Sequence, residues 1–159
     1  MIVVSDTSPI TNLFKIDRLN LLHALYGDVV VPNAVAREIS FLEENQDLLA
    51  SHNWIRIVGL VDRTLLDGLS EVLDDGEAEA IALSIEISAD AVLIDEQDGR
   101  RVATSLGLDV TGLVGVLIQA KQHQLIPSVK DEIQRLVSEA GFWLHPTLIL
   151  ETLKTVGEE

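Results

Sequence analysis

The stretch Ile2-Val3-Val4-Ser5-Asp6-Thr7-Ser8-Pro9 decides the fold. Three apolar residues in a row, with no alternation, read as a strand buried on both faces, the mark of a parallel sheet. The run stops at Ser5-Asp6, and Ser8 as N-cap with Pro9 at the first helical position starts a helix. The same pattern recurs downstream. Leu19 to Leu25 continues helically to Gly27. Val29-Val30-Val31 is a second strand closed by Pro32, which opens a helix carrying Val35, Ile39 and Leu42 on one face. Trp54 to Val58 reads as a third strand, followed by a helical stretch from about Asp62 to Leu73. After a break at Asp74-Asp75-Gly76, Glu77 to Ile87 reads as an Ala-rich helix, and Ala91 to Ile94 as a fourth strand ended by Asp95. A helix around Arg101 to Leu106 leads through Gly107 to a short fifth strand at Leu108 to Val110. Three helices follow, at about Leu113 to Gln122, Val129 to Ala140 and Thr147 to Thr155.

Strands separated by helices imply right-handed crossovers. The expected fold is therefore α/β: a small doubly wound parallel sheet of about five strands, order 3-2-1-4-5, with helices on both faces. No repeat, low-complexity tract or linker divides the chain, so residues 1–159 are expected to form a single domain.

Composition agrees and removes several chemistries. Of the 159 residues 47% are apolar and only 4% aromatic, which suits an aliphatic α/β core. No apolar run approaches the roughly 18 residues that cross a bilayer, and Met1 to Asp6 is too short and acidic for a signal peptide. A cytoplasmic protein without membrane partners is the expectation. The absence of cysteine excludes disulfides, thiolate metal sites and a thiol nucleophile. His23, His52, His123 and His145 are scattered and form no metal-binding spacing, so they read as ordinary core or surface residues. With 26 acidic against 11 basic residues the net charge is −15, which repels phosphate backbones at long range and argues against a basic-patch nucleic-acid binder. A divalent cation gathered by carboxylates remains allowed.

The acids themselves have a pattern. Asp6 and Asp95 each follow an apolar run, and in the order 3-2-1-4-5 strands 1 and 4 are neighbours, so both carboxylates emerge at the crevice where ligands of such sheets bind. Capping the helices that follow is the alternative for either residue alone. Glu77 shares a helical face with Ile81 and Ile85 and is expected to point to the sheet edge, whereas Glu79, about 200° further round, is expected in solvent. Glu38 flanks the apolar face of Val35, Ile39 and Leu42. Acids gathered in one crevice raise one another's pKa, and a hard cation such as Mg2+ or Mn2+ relieves the repulsion. Metal-assisted hydrolysis of a phosphate ester is the chemistry this suggests.

At this point the chain resembles the PIN-domain ribonuclease superfamily, toxin-type, and within it a subgroup of prokaryotic PIN-like proteins. The resembling segments are VVSDTSPITNLFKI, VVVPNAVAREI, DDGEAEAIALS, AVLIDEQDGRRVATSLGLDVTGLVGVLIQAK and the tail from Asp131 to Gly141. The resemblance implies the 3-2-1-4-5 sheet, an acidic pocket for Mg2+ or Mn2+, and RNA as substrate. By it Asp6, Glu38, Glu77 and Asp95 are the catalytic and metal-binding acids, with Asp98 a further candidate ligand. The segment Asp95-Glu96-Gln97-Asp98 departs from the usual spacing, and which of its three acids reaches the metal stays open. Arg100 and Arg101 are candidate phosphate contacts or plain helix-surface charges. The resemblance also brings in a small antitoxin and a homodimer as candidate partners. A phosphorelay receiver lacks support, since Ser5-Asp6 offers one acid and Val110-Thr111-Gly112 no Lys; a haloacid-type phosphatase lacks its second Asp after Asp6. The serious alternative is a catalytically weak PIN-like protein that acts by binding a protein partner.

Overall fold

A computed structural model describes all residues, 1–159. Five parallel strands, β1 (Val3–Ser5), β2 (Val29–Val31), β3 (Ile55–Ile57), β4 (Ala91–Leu93) and β5 (Val110–Thr111), form one sheet in the order β3-β2-β1-β4-β5. The helices are α1 (Thr7–Lys15), α2 (Asn20–Tyr26), α3 (Asn33–Phe41), α4 (Leu48–Ser51), α5 (Leu66–Leu69), α6 (Asp75–Glu86), α7 (Gln97–Ser105), α8 (Leu113–Gln122), α9 (Val129–Ala140) and α10 (Pro146–Val156).

Alternate strand residues feed two cores, because successive side chains leave opposite faces of a strand. Val3, Val29, Val31 and Leu93 pack with residues of α1, α2, α3, α8 and α9; Val4, Val92 and Ile94 pack with α5, α6 and α7. This makes the expected three layers. His23 stacks on Trp54 with ring centroids 5.1 Å apart and His52 meets the same ring edge-on, so two of the four histidines are packing residues.

The structure corrects several boundaries. Helix α1 begins at Thr7 with Asp6 at the N-cap position, which places Pro9 third in the helix, still within the first turn where its missing N–H costs nothing. The stretch expected to be helical from Asp62 to Leu73 is mostly turn, with only α5 inside it. Asp62 accepts from Thr64 N–H and hydroxyl, and Glu86 accepts from the backbone N–H of Val61 and Asp62, so side chains satisfy this backbone in place of a helix. Helix α7 starts four residues earlier than expected, β5 lies slightly later, and α3 ends before Leu42.

The C-terminus is fastened down. Glu158 accepts from Lys121 Nζ at 2.8 Å, Ser128 Oγ at 2.8 Å and the N–H groups of Val129 and Lys130 at the start of α9. Desolvation works against the charge, yet these donors pull the carboxyl down to about 2. Helix α10 is thereby held against α8 and α9.

Candidate active site

Strands β1 and β4 pair with Ser5 opposite Leu93, and the Asp6 N–H donates to Leu93 O at 2.9 Å. Asp6 and Asp95 therefore lie just beyond the carboxyl ends of neighbouring strands, at the point where the strand order reverses. This is where open α/β sheets hold their ligands.

Asp6 is the hub. It is 4% exposed and sits at the N-cap position of α1 without capping that helix's later N–H groups. Burial pushes its pKa up to about 7; the Thr7 N–H opposes the rise, and the charges of Asp74, Glu38 and Asp95 add to it. Glu38 reaches the same place from α3. Its Oε2 accepts from the Thr7 hydroxyl, and its Oε1 from the Gly76 N–H at 3.2 Å. A Cβ at position 76 would lie 2.7 Å from both carboxylate oxygens, so any other residue there would displace the Glu38 carboxylate.

Glu77, in the first turn of α6, is 6% exposed. Burial first, then a hydrogen bond to the Asp74 carboxyl and the charges of Asp74, Asp6 and Glu96, push it up to about 8. Asp74 also caps the helix by accepting from Glu77 N–H at 2.8 Å. Across from it, Gly99 of α7 leaves the space for Glu77, since a Cβ there would stand 2.5 Å from Glu77 Oε2. Asp95 accepts from Ser8 Oγ at 2.9 Å and from the Leu113 N–H at 2.8 Å. Burial raises its pKa, the two hydrogen bonds and the Arg100 charge oppose the rise, and Glu96 adds to it.

Asp6, Glu38, Glu77 and Asp95 are thus brought together. Asp98 and Arg101 are not. Asp98 is 66% exposed and pairs with Arg101 at 3.2 Å one turn along α7, away from the other acids; Glu96 is the second acid of that segment whose charge acts on Asp95 and Glu77. Arg100 does stay at the site, with Nη1 donating to Ile94 O at 3.0 Å beside Gly112 and Asp95.

Several site residues were not singled out by the sequence. Asp74 is one, where only a chain break was read. Thr7, Ser8 and Asn12 are others: Asn12 Nδ2 donates to Ser8 Oγ at 3.0 Å, and Ser8 passes the bond on to Asp95. The signal was present in SDTSPITN, where positions 8 and 12 share a helix face.

Glu79 overturns its expectation. It is 5% exposed, accepts from the Ala34 N–H at 3.1 Å, and has Arg63 and Arg37 at 3.6 and 3.9 Å. Helix α6 buries every residue from Gly76 to Ser84, position 79 included, while Asp75 before that stretch and Ile85 after it are exposed. The acid is satisfied by the first turn of α3, whose N–H groups have no intrahelical partner.

The donor set is chemically suited to a hard divalent cation. It is all carboxylate and hydroxyl oxygen, without imidazole or sulfur, and its members raise one another's pKa. No three His, Asp or Glu side chains are arranged to hold an ion as they stand. Both oxygens of Glu38 and of Asp95 are engaged by protein donors.

The fold is that of an α/β domain with a buried carboxylate cluster at its strand switch point, the place where open α/β sheets bind ligands. The chain is, more narrowly, a member of the PIN domain family, whose model matches residues 2–158. Proteins of this family are commonly nucleases and typically use divalent metals. Among solved structures it is similar to a PilT N-terminus domain protein from the hyperthermophilic archaeon Sulfolobus solfataricus P2, at 17% identity and a TM-score of 0.59, over 76% of this chain and 93% of that one. That likeness concerns the fold. Among curated proteins, none is similar to this chain at a significant level. No helix is long and apolar enough to cross a membrane.

Proposed function

We infer that the protein is a divalent-metal-dependent endoribonuclease. The observation that carries this reading is the convergence of Asp6, Glu38, Asp74, Glu77 and Asp95 at one sheet edge, with the pKa of Asp6 and Glu77 raised to about 7 and 8 by burial and by their neighbours. Leaving such groups ionised without a counter-charge is costly, and a cation is the partner they lack. Asp6, Glu77, Glu38 and Asp95 would hold Mg2+ or Mn2+. The ion, when bound, supplies Lewis-acid chemistry and positive charge for phosphodiester hydrolysis.

The chain's own residues position. The Thr7 hydroxyl and Gly76 N–H aim Glu38; Ser8, backed by Asn12, and the Leu113 N–H aim Asp95; Asp74 fixes the first turn of α6 so that Glu77 faces Asp6. Arg100, anchored on Ile94 O, is the cation set beside Asp95 to meet a phosphate oxygen. RNA is the substrate class the family resemblance favours. The biological setting of this reading is the toxin of a toxin–antitoxin pair, with a small antitoxin or a second copy of the chain covering exposed apolar groups such as Trp143 and Leu150.

The test is cleavage of single-stranded RNA by purified protein with Mn2+, against single-stranded DNA and against Asp6→Asn. The neutral isostere keeps shape and removes charge, so cleavage should disappear while the fold persists. Undiminished cleavage by Asp6→Asn would show that the activity comes from elsewhere.

A further inference from the structure

A cleft of about 420 Å³ shares Asp95 and Arg100 with the acidic site and then runs out over β5 and the start of α8. Its far wall comes from the C-terminal segment, through Phe142, Leu144 and Leu148, and Ile118 of α8 adds to its apolar lining. The volume lies toward the small end of the about 300–1,000 Å³ typical of ligand pockets, and the lining mixes aliphatic and aromatic side chains with polar ones, Asp95 and Arg100 at the acidic site and Gln119 and Thr152 on the helices. The wall is held in place, because Glu158 ties the end of α10 to Lys121 and to the first turn of α9. Space beside Asp95 is also protected by glycine, since a Cβ at Gly112 would lie 2.5 Å from Arg100 Nη1 and 3.3 Å from Asp95 Oδ1.

We propose that this cleft receives one unpaired nucleobase of the substrate, the one next to the phosphodiester held at the carboxylates. The proposal rests on the nuclease reading above and adds a substrate subsite to it. Continuity selects the occupant: the cleft and the carboxylate cluster have Asp95 in common, so a ligand whose phosphate lies against Arg100 has its neighbouring base at the cleft mouth. The chemistry agrees, because a base offers flat apolar faces to Phe142 and Leu148 and needs only edge contacts from polar groups. A base enters such a space only when it is neither stacked nor paired, which makes the cleft a selector for single strands, loops and bulges over duplex. Recognition by shape and stacking also suits a chain of net charge −15, which has few cations to spend on the phosphate backbone.

The experiment fills the cleft and removes the base separately. Leu148, partly exposed on α10, is replaced by Trp, and a thermal melt verifies that the variant folds; Phe142→Ala, which widens the cleft, is the second variant. Binding of a fluorescent single-stranded RNA is measured by anisotropy with Asp6 intact and Ca2+ in place of Mn2+, and KM for cleavage with Mn2+. Each is measured with an intact substrate and with substrates abasic at single positions around the cut. Leu148→Trp should weaken binding and raise KM about tenfold for intact RNA, within the range one stacked base contributes. It should have no further effect when the base at one position beside the cut is already missing. Equal losses on intact and abasic RNA, or no loss on either, overturn the proposal and leave the cleft to a protein segment. Base-dependent binding without cleavage by the wild type would sustain the subsite and sink the nuclease reading; cleavage indifferent to both variants would do the reverse.

Discussion

Ser8 Oγ donates to Asp95 Oδ2 at 2.9 Å, so a hydroxyl in the first turn of α1 holds the acid that follows β4. The bond spans the strand switch point and is itself steadied by Asn12. Ser8→Ala removes a donor to a charged, mostly buried oxygen, an interaction worth about 1.5–3 kcal/mol. Mn2+ affinity should fall roughly tenfold, because Asp95 is no longer pre-aimed and its pKa rises further. Circular dichroism should be unchanged, and Asn12→Ala should give a smaller loss in the same direction.

Glu77 and Glu79 are both buried on α6 but have different partners, and their amides should separate the roles. Glu77→Gln relieves repulsion with Asp74 and Asp6, so the metal-free protein should melt higher while Mn2+ binding weakens. Glu79→Gln leaves Arg37 and Arg63 without their charge partner but keeps an acceptor for the Ala34 N–H. A destabilisation of about 1 kcal/mol with unchanged Mn2+ affinity is expected. Calorimetric titration and thermal melts of the two variants read both quantities.

The sheet was legible chiefly because β1, β2 and β4 are short uniform apolar runs closed by Asp or Pro, whereas β3 carries Arg56 and β5 is only Val110–Thr111. Asp6 and Asp95 were legible for the same reason, standing one residue past such runs. Helical phase was a poorer guide. Glu79 was assigned to solvent because a helix on a sheet usually has a wet face, whereas α6 packs against α3 as well as against β1 and β4 and is buried from Gly76 to Ser84. The small residues Ala78, Ala80 and Ala82, which permit that close approach, were the available sign. Asp98, a further candidate ligand by resemblance, is exposed and pairs with Arg101 one turn along α7. Asp74 looked like a turn residue, and it is one; its second role exists only because the cap position of α6 falls beside Asp6.

The pH dependence follows from signs. Asp6 and Glu77 have folded-state pKa values raised to about 7 and 8 from ordinary values of 3.8 and 4.5. The folded protein therefore binds more protons than the unfolded chain between those limits, and the contribution of these two groups to stability is full below about pH 4 and lost as pH rises toward 8. Without metal, wild-type Tm should fall between pH 5 and pH 8 by more than that of the Asp6→Asn, Glu77→Gln double variant. Parallel slopes for the two proteins would remove the acidic cluster as the source.

Gly99 tests the packing around the site. Gly99→Ala places a Cβ 2.5 Å from Glu77 Oε2 and 3.0 Å from Ile94 Cγ2, so the Glu77 side chain must turn away. Mn2+ affinity and RNA cleavage should both drop, with a modest loss of Tm of about 2–4 °C per kcal/mol of strain for a domain of this size. Gly107→Ala, at a left-handed turn with nothing near the added carbon, should lower Tm through backbone strain while leaving Mn2+ binding intact.

The most direct measurement is calorimetric titration of metal-free wild type and Asp6→Asn with Mn2+ at pH 7.5, with Tm recorded at each end point. Asp6 touches every other acid of the cluster through its charge, so the wild type should bind Mn2+ and gain Tm by mass action, and Asp6→Asn should lose most of both. Identical titrations and identical melts for the two proteins would contradict a cation site built on Asp6.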